Sequence, residues 1–258
     1  MNSIDLNSDL GEVPGAIADG TQEAMMRHIT SANITCGGHA GDDDTIEITI
    51  LQATRYGLAI GAHPGYPDRE NFGRLELAMP LAAIADTVYE QVAHFAQIAD
   101  RCGANVTHVK PHGALYNQAV NDAGISRAIA EGVARWRTDI VMIGLAGSRM
   151  LDVFHECGFE TAAEAFADRR YEPNGTLRAR RLQGAMIPDP EQAAAQALLI
   201  AEQGTVVASD HKPITLNAQT ICIHGDTPGA RAIAAAVSAA LIGARVQLRG
   251  LRTHLSKN

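Results

Sequence analysis

Residues 106–117 read VTHVKPHGALYN. Val106–Lys110 is a short strand-like run, and Pro111 and Gly113 punctuate its end. His108, Lys110, His112, Tyr116 and Asn117 crowd that same point. The arrangement recurs in both directions along the chain. Towards the N-terminus lie DLNSDLGE (5–12), NITCGGHAGD (33–42) and GAHPGYPDRENFGR (61–74); towards the C-terminus lie EAFADRRY (164–171) and ICIHGDTPGA (221–230).

Short strand-like runs alternate with helix-like stretches along the whole chain. The strand candidates are Ser3–Asn7, Asn33–Cys36, Leu58–Ala62, Val106–Lys110, Ile140–Gly144, Phe159–Ala163 and Thr220–Ile223. Between them, Leu81–Ala99, Ile125–Trp136 and Glu191–Glu202 carry helical spacing. Asp19 with Gln22 reads as a capping pair before a helix Glu23–Ile29, Asp189-Pro190 and Thr227-Pro228 read as later helix starts, and Gly57 and Gly103 as helix ends. Such alternation implies parallel strands covered by helices. An open doubly wound sheet would usually carry G-x-G-x-x-G after its first strand, and this chain does not. About seven units in 258 residues, read as one domain over 1–258, therefore favour a closed β/α barrel. In a barrel all the polar strand ends open on one face. The long irregular stretches near His63–Met79 and Phe166–Pro188 follow strands, where barrel enzymes place substrate loops.

Composition excludes several classes of function. A hydrophobic fraction of 46% against 19% charged residues suits a large core rather than disorder. A formal charge of −8 and only 4% aromatic residues argue against nucleic-acid and membrane-surface binding. No signal-like segment and no apolar run of spanning length is present, and four isolated cysteines point to a reducing cytoplasm. Walker P-loop, G-x-S-x-G and H-E-x-x-H motifs are absent. Asp, Glu, His and Lys at strand ends fit proton transfer and charge stabilisation instead.

Each residue also has a plainer reading. Asp42 and Asp226 could be helix caps, Lys110 could snorkel to solvent, His63 could be a satisfied loop histidine, His108 lies deep in its strand, and His155 and His254 look peripheral. Taken together, six of ten histidines (His39, His63, His108, His112, His211, His224) at strand ends argue for a built site.

The six motifs, with FADRRY continued by GAMI (184–187), resemble the LamB/YcsF family in order from about residue 5 to residue 230. The resemblance implies a modified TIM-like (β/α) barrel of about seven strands, of the glycoside hydrolase/deacetylase type. It also implies opening of the lactam ring of 5-oxoproline to glutamate, coupled to ATP, in a 5-oxoprolinase that includes subunits B and C. Carried onto this chain, it points to Asp9, Glu12, His39, Lys110 and His112 as catalytic. Asn7, Asp42, His63, Arg74 and Tyr116 become the substrate-binding candidates. Two positions depart from the family pattern: Gly38 stands where a Phe is common, and Leu75 where a second Arg follows Arg74. Two readings of the same barrel stay open. One is a hydrolase or deacetylase using a divalent metal on Asp9, His39 and His63; the other is a lactam-binding subunit without catalysis. A Schiff base at Lys110 is more distant, and a homo-oligomer is compatible with all of them.

Overall fold

The computed structural model describes residues 3–227 and 229–251; His254 and Pro228, both weighed above, lie outside the described residues. Strands are β1 (Ser3–Leu10), β2 (Ser31–Thr35), β3 (Ala59–His63), β4 (Val106–Val109), β5 (Val141–Leu145), β6 (Glu160–Phe166), β7 (Thr205–Val207), β8 (Pro213–Thr215), β9 (Thr220–Cys222) and β10 (Gln247–Leu248). Helices are α1 (Pro14–Ala18), α2 (Thr21–Met26), α3 (Asp43–Arg55), α4 (Leu81–Arg101), α5 (Gly113–Ala119), α6 (Ala123–Ala134), α7 (Arg149–Glu156), α8 (Pro190–Leu198) and α9 (Ala230–Gly243).

Strands β1 to β6 pair in sequence order, all parallel; β9 follows β6 and then pairs with β1, which closes a seven-stranded barrel. Beneath that closure β10 pairs with Ser3 and Ile4. Side-chain alternation divides the barrel. Leu6 and Leu10 of β1 join the outer apolar core, whereas Asp5, Asn7 and Asp9 face inward. On α4, Ile84, Val88, Val92, Phe95 and Ala99 are buried at three- and four-residue spacing, the stripe a covering helix needs. Each large apolar side chain so buried contributes about 1.5–3 kcal/mol.

The barrel interior is unusually polar, since such barrels are mostly filled by Val, Ile and Leu. Asp5 accepts hydrogen bonds from Thr30, Ser31 and Thr220, and Asn7 donates to Glu164 across the barrel. His108 bonds Asn33 at 2.9 Å and lies over Gly61, where any Cβ would overlap its ring. At the opposite end Leu251 packs on Val141, Ile143 and Ala162, and its N–H donates to Ser31.

Some local expectations are corrected. Gln22 does not cap a helix; it turns inward to accept from the Gly11 N–H, and α2 starts after Gly20 and ends at Met26. The helix expected over Glu191–Glu202 is α8 followed by a π-type turn, Leu199–Gln203. His211 occupies the exposed turn of the β7–β8 hairpin rather than the end of a barrel strand.

Candidate functional site

β1 runs to Leu10, three residues past the strand end read from the sequence, because Leu10 still packs on the outer core, and this carries Asp9 to the barrel mouth. Gly11, at φ +78°, then turns the chain so that Glu12 faces back over it. β3 ends on His63. The chain leaving β4 stays beside it, with Lys110 N–H donating to the Ala62 carbonyl and His112 N–H to that of Pro64. Asp9, Glu12, His63, Lys110 and His112 thereby come together at one side of the floor of a cavity of about 570 Å³.

Two linked groups form the floor. In the first, the Lys110 ammonium donates to Asp9 Oδ1 at 2.9 Å and Glu164 Oε1 at 2.8 Å, and lies 3.2 Å from Cys222 Sγ. Burial alone would lower the Lys110 pKa. The Asp9 carboxylate, Cys222 and Glu164 outweigh it and hold the ammonium well above its ordinary value. Burial likewise works against the Asp9 carboxylate, but His63 and Lys110 hold it well below the usual range.

In the second group, Glu12 Oε1 lies 2.8 Å from His39 Nε2, 3.1 Å from His112 Nδ1 and 3.7 Å from His63 Nε2. The His39 and His112 rings stack at 3.6 Å. Burial, then His112, push His39 down to about 4, so it is neutral. His63 moves the other way: burial opposes its charge, but Asp9 and Glu12 raise its pKa.

The ring orientations are set by backbone. A carbonyl can only accept, so His63 Nδ1 carries the hydrogen bonded to the Lys110 carbonyl at 2.7 Å. His112 Nε2 likewise carries the one bonded to the Phe72 carbonyl at 2.9 Å. Their inner nitrogens, His63 Nε2 and His112 Nδ1, face each other at 3.0 Å beside the Glu12 carboxylate. Such a set of acceptors requires a cation, either one shared proton or a metal ion. Glu12, His39, His63 and His112 each offer a ligand atom within 4.8 Å of the others, and carbonyl-anchored imidazoles are the usual outer support of a metal centre. These residues fit a divalent ion. Asp9, Cys222 and His224 also converge, but Lys110 already supplies their cation and the His224 ring is held by Asp168 at 2.9 Å.

The remaining expected residues divide. Tyr116 and Arg74 line the cavity. Burial and the nearby Glu164 carboxylate raise the Tyr116 phenol well above its ordinary value, and Arg74 is paired with Asp226. Asn7 lies beneath the floor, donating to Glu164 and Thr220. Asp42 is an exposed N-cap of α3, reciprocally bonded with Thr45, and does not reach the cavity. His39 stands behind His112. Leu75 lines the mouth, whereas Gly38 does not; the space a side chain there would need is filled by the Gln91 amide, which clamps both backbone groups of Gly65. Glu164, Asn33 and the Asp168–His224 pair, which stand in the strand-end motifs but outside the catalytic and substrate-binding assignments, complete the site. The Glu164/Phe166 alternation inside EAFADRRY was the available signal for the first.

The chain matches the LamB/YcsF family over residues 4–256. It is 46% identical over 249 residues to the A subunit of 5-oxoprolinase from Chloroflexus aggregans, covering 96% of this chain and 99% of that protein. To its counterpart from Methylococcus capsulatus it is 44% identical over 232 residues, covering 90% and 89%. The solved lactam utilization protein from Thermus thermophilus superposes with a TM-score of 0.89 at 37% identity, covering 96% of this chain and 99% of that one. A GH113 beta-1,4-mannanase, at TM-score 0.51 and 12% identity over 93% of this chain and 99% of its own, shares the fold alone. Among the described residues no helix is long and apolar enough to cross a membrane. A match over almost the whole chain, with relatives this similar along almost their whole length, establishes that the chain belongs to the LamB/YcsF family.

Proposed function

We propose that this chain is the barrel subunit of an enzyme that hydrolyses the lactam of 5-oxoproline to glutamate, coupled to conversion of ATP to ADP and phosphate, and that it works with two further subunits, B and C. The observation carrying this reading is the floor of the cavity. A buried ammonium, a carboxylate and an imidazole–carboxylate cluster meet there within hydrogen-bonding distance of one another. The names of the relatives supply the substrate class.

Lactam opening adds water to the ring carbonyl carbon, breaks the C–N bond and protonates the departing nitrogen. Asp9 Oδ1 is engaged by Asn33 and Lys110, which leaves Oδ2, 3.5 Å from His63 Nε2, to take a proton from water. Glu12 and His63 form the adjoining proton relay, with His63 charged as the acid for the leaving nitrogen. Lys110 is saturated by Asp9, Glu164 and Cys222, so it acts through its field, stabilising negative charge that develops on the carbonyl oxygen. ATP makes a poor electrophile reactive by phosphorylating that oxygen with release of ADP, and after the ring opens a second water frees the phosphate to leave glutamate.

A second reading is favoured by the paired imidazole lone pairs. There Glu12, His63 and His112 hold a divalent ion, with His39 behind them. Such an ion would supply Lewis acidity at the cavity floor. The test of the main reading is glutamate release from 5-oxoproline and ATP, by this chain alone and reconstituted with B and C. Release by the complex, lost in Asp9→Asn, is the expected result; no release by the complex rejects the reading.

A further inference from the structure

The wall opposite the histidine cluster holds a guanidinium with no counter-ion among the described residues. Arg169, three residues beyond β6, lines the cavity and is 4% exposed. One of its nitrogens donates to the Arg178 carbonyl at 2.7 Å, while Nε has no hydrogen-bond partner among the described residues. Among the described residues no carboxylate forms an ion pair with it, because its neighbour Asp168 is taken by His224 and Thr227. Arg180 also lines the cavity; its only carboxylate among the described residues is Asp226, at 3.4 Å and already paired with Arg74. Burial, then the charge of Arg180, depress Arg169 to about 10. An unpaired buried charge is costly, and planar guanidinium forks match phosphate oxygens.

We propose that Arg169 and Arg180 form a phosphoryl-binding subsite on this wall. Two mutually repelling guanidiniums short of one carboxylate call for a ligand with more than one negative charge. That favours a phosphoryl group over the single carboxylate of a small acid. The subsite deepens the proposed function, since it places the phosphoryl group handled by that reaction on the wall facing Glu12, His63 and His112.

The test is calorimetric titration of the whole chain with inorganic phosphate and, separately, with 5-oxoproline, at constant ionic strength. Phosphate should bind the wild type and bind Arg169→Met and Arg180→Met about tenfold more weakly or worse. Arg169→Lys, which keeps charge but not the fork, should fall between. Affinity for 5-oxoproline should stay within about threefold of wild type, which is within about 0.7 kcal/mol. Absence of phosphate binding to the wild type, or unchanged binding in both methionine variants, overturns the subsite. Loss of 5-oxoproline binding with phosphate binding retained would make it a carboxylate site and equally overturn the proposal. Should Arg169→Met fail to fold for want of its bond to Arg178, the surface-reaching Arg180→Met decides. No turnover is involved, so glutamate release by the reconstituted enzyme would stand even if phosphate did not bind here.

Discussion

Replacing Lys110 by methionine tests the cavity floor directly. Methionine keeps the length and most of the volume of the side chain, so a void is not the cause of any loss. What disappears is the cation between Asp9 and Glu164, at 2.9 and 2.8 Å, in a residue 2% exposed. Removing one partner of a buried ion pair costs about 3–5 kcal/mol, because the other is left charged and unsolvated. Here two carboxylates are stranded, though Asn33 still donates to Asp9 and Asn7 to Glu164, so the middle of that range is expected. Against a usual total of about 5–15 kcal/mol the loss is large, and in a chain of this size it lowers Tm by about 6–20 °C. Urea unfolding followed by circular dichroism measures it. The double variant Lys110→Met/Glu164→Gln removes one stranded charge and should recover at least about 1 kcal/mol relative to the sum of the single changes. A single-variant loss below about 1 kcal/mol, or strict additivity in the cycle, would refute the account of the floor as a charge-compensated group.

Burial raises the Asp5 carboxyl from 3.8 to about 6, against the hydroxyls of Ser31, Thr220 and Thr30. The folded state therefore holds this proton more tightly than the unfolded chain. Its stabilisation is full below about pH 4 and is lost as pH rises through about 6, an effect of about 3 kcal/mol. Asp5→Asn should remove that dependence in a series of denaturant melts across pH; parallel curves for the two proteins would contradict it. Gly61→Ala sets a methyl group into the His108 ring and should cost about 1–3 kcal/mol on denaturant unfolding, with a change under about 0.5 kcal/mol counting against the packing described. If a divalent ion occupies the Glu12–His63–His112 cluster, Zn²⁺ should raise the Tm of the wild type but not of His112→Ala. Equal shifts would leave a shared proton as the cation.

Much of this was legible in the chain itself. Runs such as Val106–Lys110, ended by Pro111, and Thr220–Ile223, ended before Gly225, are almost wholly buried, and the structure places strands there to within a residue. DLNSDLGE marked Asp5, Asn7 and Asp9 together, but the strand read there stopped at Asn7, and only the structure carries it on to Leu10. Less visible were short elements without a long apolar pattern, such as α5, α7 and the β7–β8 hairpin, whose places are set by tertiary packing. Asp42 illustrates the limit at the site. An acidic residue before a helix has the same local sequence whether it caps or binds, and only its bond with Thr45 decides. Arg169 shows the converse, since its missing counter-ion depends on Asp168 being claimed by His224 from 56 residues away.

The polar lining of the barrel bears on how the chain is made. Closure joins Asp5 to Thr220 and Asn7 to the same threonine, pairs 215 and 213 residues apart. On the ribosome the first strand therefore waits about 10–40 s for its closing partner, at 5–20 residues per second. During that wait its inward face shows Asp5, Asn7 and Asp9, which water satisfies, whereas an inner face of Val and Ile would offer an adhesive edge to other nascent chains. The inner side chains that the finished barrel locks together are thus also what keeps the unfinished barrel hydrated until synthesis reaches β9.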